Sequence, residues 1–426
     1  MQSSFRFIKN SLSTGAFWLL LLTLLSAVTG SVIALFLHLL ETATITQWQH
    51  PALLFGLPFA GMLLAILTKK FGKGSDSGND LLIEDLNQDE EKVPKRLAPY
   101  IFFATLITHL FGGSAGREGT AVQIGGSIAQ SFCSVFKLTA NGRALLILCG
   151  MSAGFGAVFG TPFAGAFFAL EVVGVLRTRA RSFIPILFAS LLADSVCKLW
   201  SIHHTLYRIV SIPPELDTVH FYATIFLKIG MAAILFGLCS RAFAEATHGL
   251  KRFWNRLLPA YWMSPLLGGI LIITLTYTLD SRAFLGLGIT NPDPLAPSII
   301  KAFLSGGVTA WSWLWKFIFT AITLSSGFKG GEATPLFFIG ACLGAALAQT
   351  LGLPLDLIAG LGLVAVFAAA TNTPLAGTIM GAELFGFEFA PYFFCACFIA
   401  YFCSGNGGVY TSQRWNKPTF QGRFQA

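Results

Sequence analysis

A basic and an acidic residue, Arg117 and Glu118, follow the glycine-rich stretch Gly112-Gly-Ser-Ala-Gly and precede a long apolar run. Exposed backbone N–H groups and the positive end of the helix dipole make a helix N-terminus a natural binding site for anions. The apolar flanks, residues 101–110 and 121–136, place this helix start inside a membrane, where ionisable side chains are usually functional. The stretch therefore predicts an anion site at a helix start, with an ionisable carboxyl group beside it.

Two other interpretations fit this stretch less well. The phosphate-loop pattern GxxxxGK[ST] is absent, and the spacing Gly113-x-x-Gly116-x-x-Gly119 is not the GxGxxG of a dinucleotide fold. A glycine-rich corner for helix packing, in which Glu118 only pairs with Arg117, does not explain why the stretch occurs twice.

The second copy lies in the other half of the chain. Residues 330–334, Gly-Gly-Glu-Ala-Thr, repeat residues 116–120, Gly-Arg-Glu-Gly-Thr, at an offset of 214. Thr161-Pro-Phe-Ala-Gly with Glu171 recurs as Thr373-Pro-Leu-Ala-Gly with Glu383, at an offset of 212. Two motifs in the same order at nearly the same offset indicate an internal duplication. In a membrane protein, broken helices at matching positions of two halves point to a substrate site near the midplane.

The composition is that of a polytopic membrane protein. Of the 426 residues, 54% are hydrophobic and only 11% are charged, whereas about a quarter of the residues of a soluble domain are charged. The net charge of +8 does not indicate nucleic-acid binding, because the basic residues cluster at the ends of apolar runs, as cytoplasmic anchors do. These clusters are Arg6 and Lys9; Lys69, Lys70 and Lys73; Arg177, Arg179 and Arg181; Lys251, Arg252 and Arg256; and Arg414, Lys417 and Arg423. The eight cysteines lack the spacing of a metal site, and we expect them to be small core residues.

The apolar runs give the order of the helices. After a polar lead at 1–16, we expect an uncleaved first membrane span at 17–40. Pro162 should divide the run 145–176 into two shorter helices. Further runs lie at 51–67, 221–238, 264–279, 336–351, 357–370, 373–384 and 389–402.

Two polar segments between these runs need interpretation. The segment 69–96 is either a solvated loop or contains a helix N-terminus aimed at an ion, capped by Ser77 or Asn79. His203 and His204 are adjacent and therefore point in different directions, so we interpret them as interface residues rather than as a ligand pair.

Through Gly116-Arg-Glu-Gly119 and its second copy, the chain resembles the CLC family of anion channels and anion/proton antiporters over roughly residues 17–415. The resemblance implies an all-α polytopic membrane fold, with two inverted repeats of broken and tilted helices whose N-termini meet at the anion. It implies one membrane domain, 1–426, with repeat halves at 17–200 and 218–413 and no cytoplasmic regulatory domain. It also implies a homodimer in the lipid of the cell (inner) membrane, both termini cytoplasmic, and no cofactor or metal ion.

The resemblance also assigns roles to single residues. Glu118 falls on the gating glutamate of the family, whose carboxylate competes with the anion and carries the proton. Ser77 falls on the central serine of the first anion-binding loop, and Tyr410 on the tyrosine that helps to close the inner side. The expected anion-binding residues are Ser77, Gly78, Gly116, Arg117, Gly119, Gly331, Glu332, Ala333, Thr334 and Tyr410.

The implied function is halide transport rather than catalysis, and fluoride/proton antiport that exports fluoride is favoured. Glu332 with Thr334 is similar to the fluoride branch, and Val172 stands where chloride antiporters tend to carry an inner glutamate. Thr120 and Ala333 replace the proline and phenylalanine usual in chloride-type members. Ser77 is nevertheless the chloride-type residue, and Asp76 beside it is unexpected near an anion. A chloride channel or a chloride/proton antiporter is therefore the alternative.

Two further hypotheses concern residues outside this set. Glu171 and Glu383 lie after Thr-Pro helix starts, and we expect them to be mainly structural caps or pair partners. An intramembrane hydrolase built on Ser114 and His109 belongs to a different class, and the sequence lacks the G-x-S-x-G motif that would favour it.

Overall fold

The structure, a computed structural model, describes residues 2–72, 74–88, 93–174, 182–210, 219–405 and 407–413. Regular structure in these ranges is helical, which confirms the expected fold class. The α-helices are α1 Gln2–Gln49, α2 Leu57–Phe71, α3 Asp80–Gln88, α4 Leu97–Leu110, α5 Glu118–Phe136, α6 Ala140–Phe159, α7 Pro162–Val172, α8 Phe183–Leu199, α9 Val219–Leu257, α10 Met263–Thr278, α11 Ser312–Ser325, α12 Ala333–Leu351, α13 Leu355–Thr371, α14 Pro374–Phe385 and α15 Ala390–Cys403.

The helices fall into two groups by length. Within the described ranges, five segments are long and apolar enough to cross a membrane: Gly15–Gln49, Pro51–Lys70, Ala140–Phe159, Ala223–Leu257 and Ala333–Leu351. Other apolar helices, among them α4, α7 and α10, have only 10–17 residues, fewer than the roughly 20 that a spanning helix needs. A short apolar helix of this kind must end inside the protein, where neighbouring helices satisfy its terminal backbone groups.

Helices α1 and α9 are longer than the apolar runs predicted. α1 runs from Gln2 to Gln49 instead of 17–40, and α9 continues to Leu257 beyond the run 221–238. Hydropathy marks only the apolar part of a helix, whereas the helix itself continues until a turn residue or a proline, such as Pro51 after α1, ends it.

The prediction that Pro162 divides its run is confirmed. Pro162 is the first residue of α7, and Pro374 is the first residue of α14 in the other half. The preceding helices α6 and α13 are followed by Gly160 and Asn372, whose φ angles are +73° and +55°. A residue in this left-handed conformation is a common helix terminator, so the chain turns sharply at equivalent places in both halves.

The two halves pack their helices in the same way. In the first half α5 lies against α6, α6 against α7 and α8, and α8 against α1; in the second, α12 lies against α13, α13 against α14 and α15, and α15 against α9. The closest approaches require glycine, since a Cβ at Gly125 would lie 2.0 Å from the Gly150 oxygen and one at Gly340 would lie 2.0 Å from the Gly362 oxygen. Glycine allows this close packing of helices in lipid. The halves meet where α7 contacts α14, where α2 contacts α10 and where α5 contacts α12.

Helix α3, which follows the predicted first anion loop, is fixed by a buried ion pair. The Asp85 carboxylate on α3 pairs with the guanidinium of Arg143 on α6. Nε of Arg143 also donates to Oε1 of Gln130 on α5 at 3.0 Å. Buried charges of this kind are tolerated when they are paired and hydrogen-bonded. The pair therefore ties α3 to α6 and, through Gln130, to α5, which begins at Glu118.

Most of the cysteines lie in the core, as expected. Six of the eight are buried, and Cys395 and Cys403 are half-buried.

Candidate anion-binding site

The two glycine-rich copies meet directly. The backbone nitrogen of Gly116 donates to the Gly331 oxygen at 2.6 Å, and the nitrogen of Gly331 donates to the Gly116 oxygen at 2.7 Å. A Cβ at Gly116 would lie 2.8 Å from the Gly331 oxygen, and a Cβ at Gly331 would lie 2.7 Å from the Gly119 nitrogen. Glycine is therefore required on both sides, and the reciprocal bonds bring the N-termini of α5 and α12 together.

The two copies of the glycine-rich motif align differently by sequence and by structure. The two alignments differ by one residue. The offset of 214 places Glu118 over Glu332, but the bridge pairs Gly116 with Gly331. Arg117 and Glu332 each stand at the N-cap position, directly before α5 and α12. Two residues of opposite charge therefore occupy equivalent positions in the two halves.

The carboxylate of Glu118 lies at the N-terminus of α12. Its side chain is 2% exposed. Oε2 accepts hydrogen bonds from the backbone nitrogens of Thr334 at 3.0 Å and Arg117 at 3.1 Å, and Oε1 accepts one from the Thr334 hydroxyl. Because N–H groups and a hydroxyl at a helix start hold small anions in the same manner, the carboxylate lies where an anion would bind.

Two cavities reach the residues beside this carboxylate. The first, of about 630 Å³, is lined by Arg117 together with segments 201–205 and 287–292 and is called the Arg117 cavity below. The second, also of about 630 Å³, is lined by Glu332, Ser77 and Gly78 and is called the Glu332 cavity. Nε of Arg117 is 3.6 Å from Oε1 of Glu118. Glu118 therefore lies between Arg117, which lines the first cavity, and Glu332, which lines the second.

The segment before α3 contributes to the Glu332 cavity. Residues Ser75–Ser77 form a 3-10 turn, and α3 begins three residues after Ser77. The helix start that the second interpretation expected is therefore present, while its direction towards an ion and its cap stay predictions. Ser77 is exposed to the cavity, while the side chain of Asp76 and the acidic run at 89–91 lie outside the described residues.

Tyr410 is held close to the same segment. It is 7% exposed, and its hydroxyl accepts a hydrogen bond from Nδ2 of Asn79 at 2.9 Å; among the described residues this partner is Asn79 rather than Ser77. The Asp80 carboxylate accepts hydrogen bonds from the backbone nitrogens of Thr411 at 3.0 Å and Ser412 at 2.9 Å. The start of α3 therefore anchors the C-terminal segment that carries the tyrosine.

The remaining predicted residues lie around the starts of α5 and α12. A Cβ at Gly119 would be 3.3 Å from Oε2 of Glu332, so these two residues are neighbours. Ala333 is buried as the first residue of α12.

Known proteins are similar to this chain over most of its length. The sequence profile of the voltage gated chloride channel family matches residues 60–405. The "Chloride/fluoride channel protein" of Pseudomonas syringae pv. tomato (strain ATCC BAA-871 / DC3000) is 42% identical over 405 residues, which cover 93% of this chain and 86% of that protein. This chain belongs to the CLC family.

Two solved structures share the fold of this CLC protein. The crystal structure of a CLC-type fluoride/proton antiporter matches with a TM-score of 0.85 and 34% identity, over 92% of this chain and 96% of that one. The structure of a slow cyanobacterial Cl⁻/H⁺ antiporter matches with a TM-score of 0.75 and 22% identity, over the same shares of the two chains.

In this CLC chain, Glu171 and Glu383 cap helices of opposite halves. Glu171 on α7 accepts hydrogen bonds at the start of α14, and Glu383 on α14 accepts them at the start of α7. The donors are the backbone nitrogens of Leu375 and Ala376 for Glu171, and of Phe163 and Ala164 for Glu383, at 2.7–3.0 Å. The geometry is that of structural caps, and the reciprocal exchange joins the halves of the repeat.

The hydrolase alternative has no geometric basis in this CLC chain. Ser114 Oγ is bonded to Thr320 Oγ1 at 2.9 Å. The ring nitrogens of His109 lie 2.8 Å from the Thr105 oxygen and 3.0 Å from the Ala115 oxygen. A nucleophilic serine needs a base within hydrogen-bonding reach, and here both residues hold the glycine-rich loop instead.

Sequence reasoning missed several residues that line the cavities. His203 and His204, interpreted as interface residues, line the Arg117 cavity, and no metal-binding cluster occurs within the described ranges. Lys69 and Lys251, interpreted as membrane anchors, line the Glu332 cavity together with Lys329. Asn79 was considered only as a helix cap, since no local signal connects it with a tyrosine 331 residues away.

Proposed function

We propose that this CLC protein exports fluoride in exchange for protons, with Glu118 as the gating group that couples them. The observation that carries the proposal is the position of the Glu118 carboxylate at the start of α12, bonded to the backbone N–H and the hydroxyl of Thr334. A carboxylate in this place uses donors that a small anion would use.

Competition between the Glu118 carboxylate and the anion for these donors couples proton movement to anion movement. While Glu118 is ionised, its oxygens fill the N-terminus of α12 and exclude an anion. Protonation removes the charge of the carboxyl group and weakens its hold on the donors, because charge-assisted hydrogen bonds are the stronger ones. An anion then takes the place of the carboxylate, so one proton bound at Glu118 accompanies each exchange of occupant.

Several observations favour an orientation in which the Glu332 cavity faces the cytoplasm. Lys69, Lys251 and Lys329 line this cavity, in agreement with the excess of basic residues on the cytoplasmic side of membrane proteins. Thr411, which follows Tyr410 in the C-terminal part of the chain, lines the same cavity, whereas Trp48, near the end of α1, lines the Arg117 cavity. Both termini would then be cytoplasmic, and fluoride would enter from the Glu332 cavity.

Fluoride is favoured over chloride by the donor set. Fluoride is small and strongly hydrated, so short and numerous donors are needed to replace its water. Thr334 supplies a hydroxyl in addition to its backbone N–H, and the relatives named above include a chloride/fluoride channel protein and a fluoride/proton antiporter. Ser77 on the Glu332 cavity keeps a chloride channel or chloride/proton antiporter as the second candidate.

The experiment that tests the proposal replaces the gating group. In proteoliposomes, Glu118→Gln and Glu118→Ala should abolish proton movement coupled to anion flux, since neither side chain both carries a proton and fills an anion site. Flux is followed with an ion-selective electrode and lumenal pH with a dye. Proton pumping that is unchanged in both variants would refute the assignment.

The assembly that we propose is a homodimer in the cell (inner) membrane. Each subunit would be one membrane domain with repeat halves at 17–200 and 218–413 and its own anion pathway. The repeated helix packing supports the division into halves. Light scattering of the purified protein in detergent, which gives the protein mass of the complex, tests the dimer.

A further inference from the structure

Lys316 on α11 is a fully buried basic residue in the second half of the chain. It is 0% exposed, and its Nζ donates hydrogen bonds to the Phe284 oxygen at 3.2 Å and the Gly286 oxygen at 2.7 Å. Nζ also lies over the ring of Phe338 on α12, 5.6 Å from the ring centroid. Carbonyl oxygens and the face of an aromatic ring both favour a cation. The amine therefore fits its surroundings as an ammonium ion.

The ammonium ion has no acidic partner in the described part of the chain. The ion pairs found there join other residues, and none includes Lys316. Burying a charge is costly unless a charge of opposite sign lies close to it. An uncharged donor would satisfy the two carbonyl oxygens at a lower cost, so hydrogen bonding alone does not explain a lysine here. An ionisable residue at this depth in a membrane protein is usually functional.

The ammonium ion lies directly behind one wall of the Arg117 cavity. The segment 283–289 supplies that wall, through Ala283, Leu285, Leu287, Gly288 and Ile289. The carbonyl oxygens that bond to Nζ belong to Phe284 and Gly286, which alternate with these lining residues. A Cβ at Gly288 would lie 3.4 Å from Nζ. A single layer of backbone therefore separates the positive charge from the cavity.

Helix α11 also reaches the gating region. Oγ1 of Thr320, one turn after Lys316, is 2.9 Å from Oγ of Ser114 in the glycine-rich loop before α5. Phe338, which lies beside the ammonium ion, belongs to α12, and the N-terminus of α12 holds the Glu118 carboxylate. The charge therefore lies close to both the cavity and the helix start where an anion would bind. Charges inside a protein interact more strongly than charges in water.

We propose that Lys316 is a fixed positive charge that draws the transported anion into the path between the Arg117 cavity and the start of α12. The anion supplies the counter-charge that the described residues do not. Basic side chains favour anions in pores in the same way. Lys316 acts through the wall and not by contact, so it is a positioning residue that favours fluoride and chloride alike. The inference rests on the proposed halide transport and adds to it the residue that attracts the anion.

The test is halide binding, measured by calorimetry on the purified full-length protein. Glu118→Gln is the parent, because an ionised Glu118 would itself be attracted by the charge. Lys316→Arg keeps the charge and the donors, Lys316→Gln keeps a donor without the charge, and Lys316→Met removes both. We expect Lys316→Gln and Lys316→Met each to weaken binding of both halides about tenfold, and Lys316→Arg to stay within about threefold of the parent.

These variants separate the charge from the hydrogen bonds and from the fit of the side chain. If Lys316→Gln binds halide as tightly as the parent, the hydrogen bonds are sufficient and the proposal is overturned. A loss confined to one of the two halides also overturns it, since the field of a charge acts equally on both ions. A folded Lys316→Arg protein that binds as weakly as Lys316→Met would show that the fit, and not the charge, matters.

The matched control is Lys301→Met, in the segment that follows the same wall. Nζ of Lys301 donates to the backbone oxygens of Asp293, Pro294 and Ala296 at 2.6–2.9 Å, so this lysine also braces a loop. Lys301 is only half-buried. Lys301→Met should stay within about twofold of the parent. A loss as large as that of Lys316→Met would show that a loosened loop is the cause, and would overturn the proposal.

Failure of the proposed function is distinguishable from failure of this inference. The wild type and the Glu118→Gln parent are titrated with fluoride and with chloride before the Lys316 variants are measured. Binding of chloride and not of fluoride overturns the fluoride assignment, while the same series with chloride still decides the role of Lys316. Proteins that bind neither ion refute both.

Discussion

At the scale of residues, Thr334 supplies two hydrogen-bond donors, one from its backbone and one from its side chain. Its N–H and its hydroxyl both bond to the carboxylate of Glu118, so the hydroxyl does not merely cap its own helix. When an anion replaces the carboxylate, the same hydroxyl becomes available to it.

Thr334→Val keeps the shape and the backbone donor but removes the hydroxyl. A hydrogen bond to a charged group contributes about 1.5–3 kcal/mol, which corresponds to about one to two orders of magnitude in affinity. We expect fluoride efflux from proteoliposomes to fall far more than chloride efflux, and Thr334→Ser to retain most of the activity. Equal losses for both ions would favour the chloride alternative.

Gly116 and Gly331 are predicted to be intolerant of any side chain. A Cβ at either position would lie 2.7–2.8 Å from a backbone atom of the opposite half, so alanine must force the two helix starts apart. Gly116→Ala should lower the thermal unfolding midpoint in detergent and abolish fluoride flux. Gly15→Ala is the matched control, because a Cβ there meets nothing within 4 Å and should leave both properties unchanged. A Gly116→Ala variant with wild-type stability and flux would contradict the close approach.

At the scale of elements, the caps contributed by Glu171 and Glu383 join α7 and α14. Each carboxylate accepts two backbone N–H bonds from the other half, and a lost helix cap costs about 0.5–2 kcal/mol. Glu171→Ala and Glu383→Ala should therefore each lower thermal stability while proton coupling in proteoliposomes is retained.

The properties of Glu171→Gln distinguish a structural cap from a proton relay. Because Glu171→Gln keeps one acceptor oxygen, it should lower thermal stability less than Glu171→Ala does. A Glu171→Gln protein that folds normally but loses only proton coupling would contradict the structural role and revive an inner proton relay in the first half.

The sequence predicted the helix breaks well but not the partners of the residues at them. Pro162 and Pro374 mark helix starts through local chemistry, since proline lacks a donor and favours the first helical position. That Glu171 bonds across to the other half depends on how the halves pack, and a sequence of one chain carries no direct sign of it. The predicted run for α9 ended too early for a related reason, because the polar end of this helix has no hydropathy signal.

At the scale of the whole molecule, the duplication was the most informative sequence feature. The repeated motifs predicted that two helix starts meet, and the Gly116–Gly331 bridge has that arrangement. The identity of the glutamates suggested that Glu118 and Glu332 are counterparts, whereas the backbone pairing makes Arg117 the counterpart of Glu332. A shift of one residue is invisible in a motif because both registers match glycine to glycine.

Antiport of fluoride against protons is the central claim, and wild-type proteoliposomes test it most directly. Vesicles loaded with fluoride or with chloride are diluted into halide-free buffer at equal internal and external pH, and ion efflux and lumenal pH are recorded together. The account predicts faster efflux of fluoride than of chloride. Fluoride efflux should drive protons inward and lower the lumenal pH below the external pH. Chloride efflux faster than fluoride efflux, or fluoride efflux without any proton movement, would contradict it.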